Sequence, residues 1–358
     1  MTAPPPGYPA LRVLMVGEIE PLLTTGARFA AFRELGVEVE GVDSRPFLAT
    51  RSTWAKRVTH FTLRTPAVYA FNRALIDAVA RFRPNLLWLE KPVFVFPSTL
   101  RRLRRAPGVR FVYHNTDDWH AEDRLHALHW RYLLRGLRNF DLYVLSNAHN
   151  VREFREAGLE PVRHMELAAN PALRDPGPLS EQERRRLGGP VGFIGHWEPV
   201  TEQLLTQVAR AGIPVKVYGV SWEDADPNGP LREAIQHRPV WGDEYARAIC
   251  SFDVNVGIVS KWNRNHTASR TFQIPALGAF LLHERNELVA GYFREGVEAE
   301  FFGSADELVE KCRHYLAHPE ERRRVAEAGR RRCVKSGYFE VDRVREVLPV
   351  LSALVREG

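Results

Sequence analysis

The sequence is poor in cysteine, with three thiols, Cys250, Cys312 and Cys333, in 358 residues. Their number is odd, and their spacing fits neither a disulfide framework nor a cysteine metal site. Such a scatter suits a reducing cytoplasm. Long apolar runs are lacking too. No stretch approaches the roughly 18 consecutive apolar residues of a membrane-spanning helix. The opening "MTAPPPGYPALRV" has no apolar core behind basic residues, so no secretory leader is expected. The chain is basic, with a net charge of +6. Yet it has no zinc-finger spacing and no RNA-motif aromatic signature, which argues against a nucleic-acid partner. A basic balance also suits a phosphorylated small molecule or an acidic lipid surface. The arginine clusters at 101–105, 184–186, 322–324 and 330–332 read first as solvated helix surface. Peripheral membrane contact is their second reading.

What is present is alternation. Apolar runs at 11–18, 85–91, 109–115 and 141–147 read as strands, and 27–36, 71–84, 98–106 and 150–158 read as helices between them. The order strand, helix, strand predicts right-handed crossovers and a parallel sheet with helices on both faces. Around 173–190 Pro and Gly cluster in "LRDPGPLSEQERRRLGGP" without either period, which predicts a linker. Alternation then resumes with "VGFIGHW" and "IPVKVYGV". The expected class is therefore α/β, with two doubly wound Rossmann-like domains facing a cleft. The predicted boundaries are 1–172 and 191–337, followed by a terminal segment at 338–358. Its Val341, Val344, Val347, Leu348, Leu351 and Leu354 form a helical apolar stripe that needs a surface to cover.

Open α/β sheets bind ligands at the carboxyl ends of their strands. In the second half those ends carry Gly195 and His196, then Tyr218, Gly219 and Trp222, then Trp241. Glycine permits close backbone approach and aromatics suit a base or sugar face; core aromatics and tight turns are the plainer reading. The stretch "NRNHTASRTFQIPALGAFLL" crowds Asn265, His266, Thr267, Ala268, Arg270 and Gln273 before a buried strand. Thr267 or Ser269 suits a helix cap. A helix start gathers positive partial charge and unpaired N–H groups, so Arg270 in the first turn is unfavourable unless an anion comes there. Gln273 lies three residues on, on the same face. These residues suit a diphosphate at a helix start with ribose one turn deeper. Pro275 should kink or shorten that helix, and Gly278 should turn the chain into the next strand.

Residues 240–335 resemble the carboxyl-terminal domain of the CgeB-like (spore-coat maturation type) glycosyltransferases. The resemblance rests on Arg270, on "IPALG", on Phe293, Gly296, Glu298, Phe302 and Glu307–Leu308, and on Tyr315–Leu316, Arg322 and Ala326. It implies the GT-B fold. The second domain would hold a nucleotide-diphosphate sugar, the first an unknown hydroxyl acceptor, and the last helix would cross back to the first domain. The family's ribose-binding acid is replaced here by Gln273. The Glu of related transferases near the transferred sugar is replaced by Asn265.

In the first half, "YHNTDDW" closes a strand, and His114, Asp117 or Asp118 could act as base on the acceptor. The same residues also make a capped turn. No cofactor and no metal are expected; Arg270 and the helix dipole would handle the departing diphosphate. The expected activity is thus cytoplasmic, metal-independent sugar transfer of the hexosyl type. A nucleotide-sugar epimerase and a non-catalytic nucleotide-sugar-binding protein are the alternatives.

Overall fold

A computed structural model of the chain describes residues 11–48, 58–59, 61–119 and 124–357. The chain forms two compact units. The first comprises residues up to Glu166 together with the segment from Glu340, and the second comprises Leu167–Phe339.

The first unit holds six parallel strands: β1 (Arg12–Gly17), β2 (Glu38–Asp43), β3 (Leu86–Glu90), β4 (Arg110–Asn115), β5 (Leu142–Leu145) and β6 (Val162–His164). Their spatial order is β2-β1-β3-β4-β5-β6. In β3, Leu86, Leu87, Trp88 and Leu89 are all fully buried, because helices cover both faces of the sheet. Alternate residues serve opposite cores. Leu14, Val16, Leu87 and Leu89 face one, and Val13, Met15, Leu86 and Trp88 face the other. The second core is closed by helices Thr24–Glu34 and Glu340–Arg356, through Ala31 and Phe32 from the one and Val344, Val347, Leu348 and Leu351 from the other. The terminal apolar stripe therefore covers one face of the first sheet.

The second unit holds β7 (Gly189–Ile194), β8 (Val215–Tyr218), β9 (Phe252–Gly257), β10 (Leu281–Glu284) and β11 (Glu300–Phe302), in the order β11-β10-β9-β7-β8, again parallel throughout. The stretch expected as a linker, 173–190, is instead partly ordered within this unit. Ser180 and Glu183 form a reciprocal capping box that starts the helix Glu181–Leu187. Leu187 is fully buried, and Arg247 bonds Glu183 at 2.8 Å. Local capping there outweighs the disordering influence of Pro and Gly. Helix Ser269–Ala276 ends one residue after Pro275, and Gly278, at φ 77°, makes the turn towards β10. The long basic helical pattern from 305 breaks at His318, where Pro319 starts a new helix, Pro319–Ser336. Among the described residues no helix is long and apolar enough to cross a membrane.

Candidate active site

In the second sheet β7 and β9 are neighbours although β8 separates them in sequence. Strand order reverses there, and a ligand crevice is expected at their carboxyl ends. Arg270 spans this point. Its Nη1 donates to the Ile194 carbonyl at 3.0 Å, at the end of β7, and its Nη2 donates to the Ile258 carbonyl at 2.7 Å, just past β9. The guanidinium lies over the Phe193 ring at 5.1 Å. Among the described residues it forms no ion pair, and its buried Nε has no hydrogen-bond partner. Burial lowers its pKa from the usual arginine value, but a guanidinium remains charged in proteins. A positive charge thus sits at the sheet edge, held by carbonyl dipoles rather than by a carboxylate. Gly195 leaves room for it: a Cβ there would lie 2.7 Å from the Arg270 Nη1, so a larger residue would push the guanidinium from this position.

The loop between β9 and helix Ser269–Ala276 is held by its own hydrogen bonds. Glu198, 4% exposed, accepts from the Lys261 N–H at 2.8 Å and the Trp262 N–H at 3.4 Å. Lys261 pairs in turn with Glu284. The Asn265 N–H donates to the Ser260 carbonyl, and Asn286 donates to the His266 carbonyl. The Ala268 N–H donates to the Thr271 hydroxyl at 3.0 Å, which is 2.9 Å from His283 Nε2. His283 Nδ1 lies 2.7 Å from the Glu284 carbonyl and donates to it, so Nε2 accepts from Thr271. Burial lowers the His283 pKa to about 4, so the ring is neutral and adds no charge beside Arg270. The first N–H groups of helix Ser269–Ala276 have no carbonyl one turn earlier to accept them. With Arg270 they can bind an anion.

Thr267 is buried, and Asn265, His266 and Ala268 are part-exposed along this loop. His196 is exposed after β7. Gly219 is required by packing, since a Cβ there would lie 1.8 Å from the Gly195 carbonyl oxygen. Other expectations are corrected. Gln273 does not offer its amide to ribose. It is 3% exposed, its Oε1 accepts from the Asn170 N–H at 2.7 Å, and its Nε2 faces the Leu173 carbonyl at 3.5 Å. Tyr218 and Trp222 are core residues, 1% and 2% exposed. Their polar ends serve the backbone, Tyr218 Oη donating to the Leu187 carbonyl and Trp222 Nε1 to the Gly195 carbonyl. Neither ring face is open to a base. Trp241 is 65% exposed, at the start of helix Gly242–Ser251. Trp262, 61% exposed and edge-on to Trp197, was not anticipated. The signal for it was an aromatic ring directly before a polar loop.

In the first unit the expected base candidates are mostly sealed. His114 is fully buried, and Asp118, 3% exposed, accepts from Asn150 Nδ2 at 2.8 Å. Asp117 pairs with Lys91, and its N–H bonds the Asn115 side chain. The capped-turn reading therefore describes this segment, and of the three only Asp117 reaches solvent. His114 belongs to a buried charge cluster that sequence reasoning missed. Arg28 Nη1 lies 2.6 Å from Glu90 Oε1 and its Nη2 lies 3.2 Å from Glu340. His114 Nδ1 lies 2.7 Å from Glu90 Oε2, and Trp88 Nε1 donates to Glu90 Oε1 at 2.7 Å. Burial pushes the Glu90 carboxyl up, but Arg28 and His114 outweigh it and hold it below the ordinary carboxylate range. One guanidinium cannot neutralise two buried carboxylates. The other, Glu340, is pushed up by burial to about 7, with Arg28 offsetting only part. Burial and Arg28 lower the His114 pKa, so the ring is neutral and Nδ1 donates to Glu90.

Residues 196–348 match the model of the family described as "Glycosyl transferase-like". No curated protein matches the chain in sequence. Among solved structures, the chain is similar to sucrose-phosphate synthase from Thermosynechococcus elongatus, with 12% identity and a TM-score of 0.64 over 97% of this chain and 100% of that one. It is similar to HepE from Anabaena, solved with UDP and glucose, at 12% identity and a TM-score of 0.57 over 96% and 100%. It is also similar to a Listeria monocytogenes protein described as a UDP-N-acetylglucosamine 2-epimerase, at 10% identity and a TM-score of 0.53 over 98% of each chain. The chain therefore has the GT-B fold, and residues 196–348 carry the glycosyltransferase-like family pattern.

Proposed function

We propose that this protein transfers a sugar from a nucleoside diphosphate donor to a hydroxyl acceptor. The observation that carries the reading is Arg270: a guanidinium without a carboxylate, fixed across the strand-order reversal and one residue into a helix start. A departing diphosphate gains negative charge as the sugar–oxygen bond breaks. A preorganised guanidinium and free N–H groups stabilise that charge more than they stabilise the intact donor, which is what accelerates the step. We assign this electrostatic task to the Arg270 guanidinium and the backbone N–H groups of Ser269 and Arg270, so that the reaction runs without a metal. We assign His266 and Asn265, part-exposed in the same loop, to the sugar side, with the exposed Trp262 as an apolar ring for a hexose. Trp241 is the available ring for the base, and the ribose contact is not made by Gln273. Asp117 is the remaining candidate for acceptor activation. The UDP and glucose bound by HepE support a donor of this class.

A non-catalytic binding role is the second reading, favoured by the amides at 265 and 273 and by the sealing of His114 and Asp118. A thermal-shift screen with UDP, GDP, dTDP and their glucose conjugates tests the site. Stabilisation by at least one nucleotide diphosphate is expected; failure of all of them removes the donor-site reading. Donor consumption that depends on an added acceptor separates transfer from epimerisation, and binding without any consumption leaves the non-catalytic reading.

A further inference from the structure

The junction between helices Ala305–Ala317 and Pro319–Ser336 gathers three potential metal ligands that play no part in the anion site. His314 stands in the last turn of the first helix, His318 is the single residue between the helices, and Glu321 stands in the first turn of the second. The spacing is His-x3-His-x2-Glu, so all three come from one local segment. Their ligand atoms lie within 4.8 Å of one another.

The hydrogen bonds around them suit a metal. His318 Nδ1 lies 2.7 Å from the His314 carbonyl and donates to it. That fixes the tautomer and leaves the Nε2 lone pair free, the arrangement that usually orients a metal-bound imidazole. His314 Nε2 lies 3.0 Å from Glu321 Oε2, close to the edge between two ligands of a small ion with bonds of about 2.0–2.2 Å. The two imidazoles are stacked at 4.3 Å, with 24° between their planes. A modest swing of these exposed rings brings both nitrogens to one point. His314 is the partner that Glu321 has among the described residues, so no arginine competes for the carboxylate.

We propose that His314, His318 and Glu321 bind one borderline divalent transition-metal ion, Zn2+ or Ni2+, with water completing the shell, and that this ion staples the two helices. Two imidazoles and one carboxylate favour such ions over Mg2+ or Ca2+, which prefer all-oxygen sites. The site is structural and independent of the sugar-transfer reading.

Calorimetric titration of chelator-stripped full-length protein with ZnCl2, and separately with NiCl2, tests it. One saturable equivalent at micromolar affinity is expected, together with a metal-dependent rise in melting temperature. His314→Ala and His318→Ala should each weaken binding at least tenfold, and Glu321→Gln several-fold. The metal-free melting temperature of each variant shows that it is folded. A wild-type titration without a saturable equivalent, or one that the double variant His314→Ala/His318→Ala reproduces, overturns the proposal, as does MgCl2 binding as tightly as ZnCl2.

Discussion

Each unit places an arginine where its sheet reverses strand order, and the two arginines end differently. Arg28 is 1% exposed and meets two carboxylates, Glu90 and Glu340. Arg270 meets two backbone carbonyls and no carboxylate among the described residues. The first arrangement is closed, because charge is cancelled inside the protein. The second is open, because carbonyl dipoles position the cation without neutralising it. The same residue type thus serves cohesion in one unit and, on the function proposed above, is kept for a ligand in the other. What separates the two is whether a carboxylate contacts the guanidinium: Arg28 touches two, whereas Arg270 touches none among the described residues and Glu198 acts on it only through space.

Three measurements break or sharpen this contrast. The largest effect is expected from Arg28→Met, which leaves Glu90 buried without its counter-ion. Urea unfolding should show a loss of about 3–5 kcal/mol. Arg270→Met, measured the same way, should lose much less; equal losses would remove the distinction between the two sites.

Next is the pH dependence of Glu340. Its folded pKa of about 7 lies above the ordinary 4.5. Its stabilising contribution is therefore fully present below pH 4.5 and is lost as pH rises through 7, a change on the order of 3 kcal/mol. His114, with its pKa lowered, works in the opposite sense, so the comparison must be with Glu340→Gln. The stability difference between wild type and this variant should shift against wild type between pH 5 and 8. A difference that stays constant across that range contradicts the raised carboxyl.

The smallest effect concerns binding. Arg270→Ala should weaken the affinity for a nucleoside diphosphate by about 1.5–3 kcal/mol, the scale of a hydrogen bond to a charged group. The same nucleotide should bind Arg28→Lys, if that variant folds, as it binds wild type. Unchanged affinity in Arg270→Ala would take the diphosphate away from this residue.

Much of the architecture was legible because helix-covered parallel strands leave continuous apolar runs, such as Leu86–Leu89, separated by amphipathic helices. Arg270 stood out in the sequence because a cation in a helix's first turn is unfavourable without an anion; the structure sets it at the strand-order reversal, and its part in diphosphate binding is the proposal made above. Gln273 was misread because its partners, Asn170 and Leu173, lie 100 and more residues upstream, and no local pattern reports such a contact. Tyr218 and Trp222 looked available because a strand's end does not say which way the ring turns. The Arg28 cluster was hidden for the same reason as Gln273, since its members are up to 312 residues apart. A trace remained all the same. Arg28 falls on the stripe of its helix that also carries Ala31 and Phe32, where an unpaired charge would be costly.

Glu340 opens the helix that closes one core of the first unit, yet the whole second unit is inserted before it. During synthesis on a ribosome, the second unit's residues all emerge before the segment that completes the first. Until that segment arrives, Val13, Met15, Leu86 and Trp88 lack part of their cover, and Arg28 can engage only Glu90. A nascent chain stalled short of residue 340 should therefore present a sticky sheet face to chaperones, although the whole of the second unit has already been synthesised.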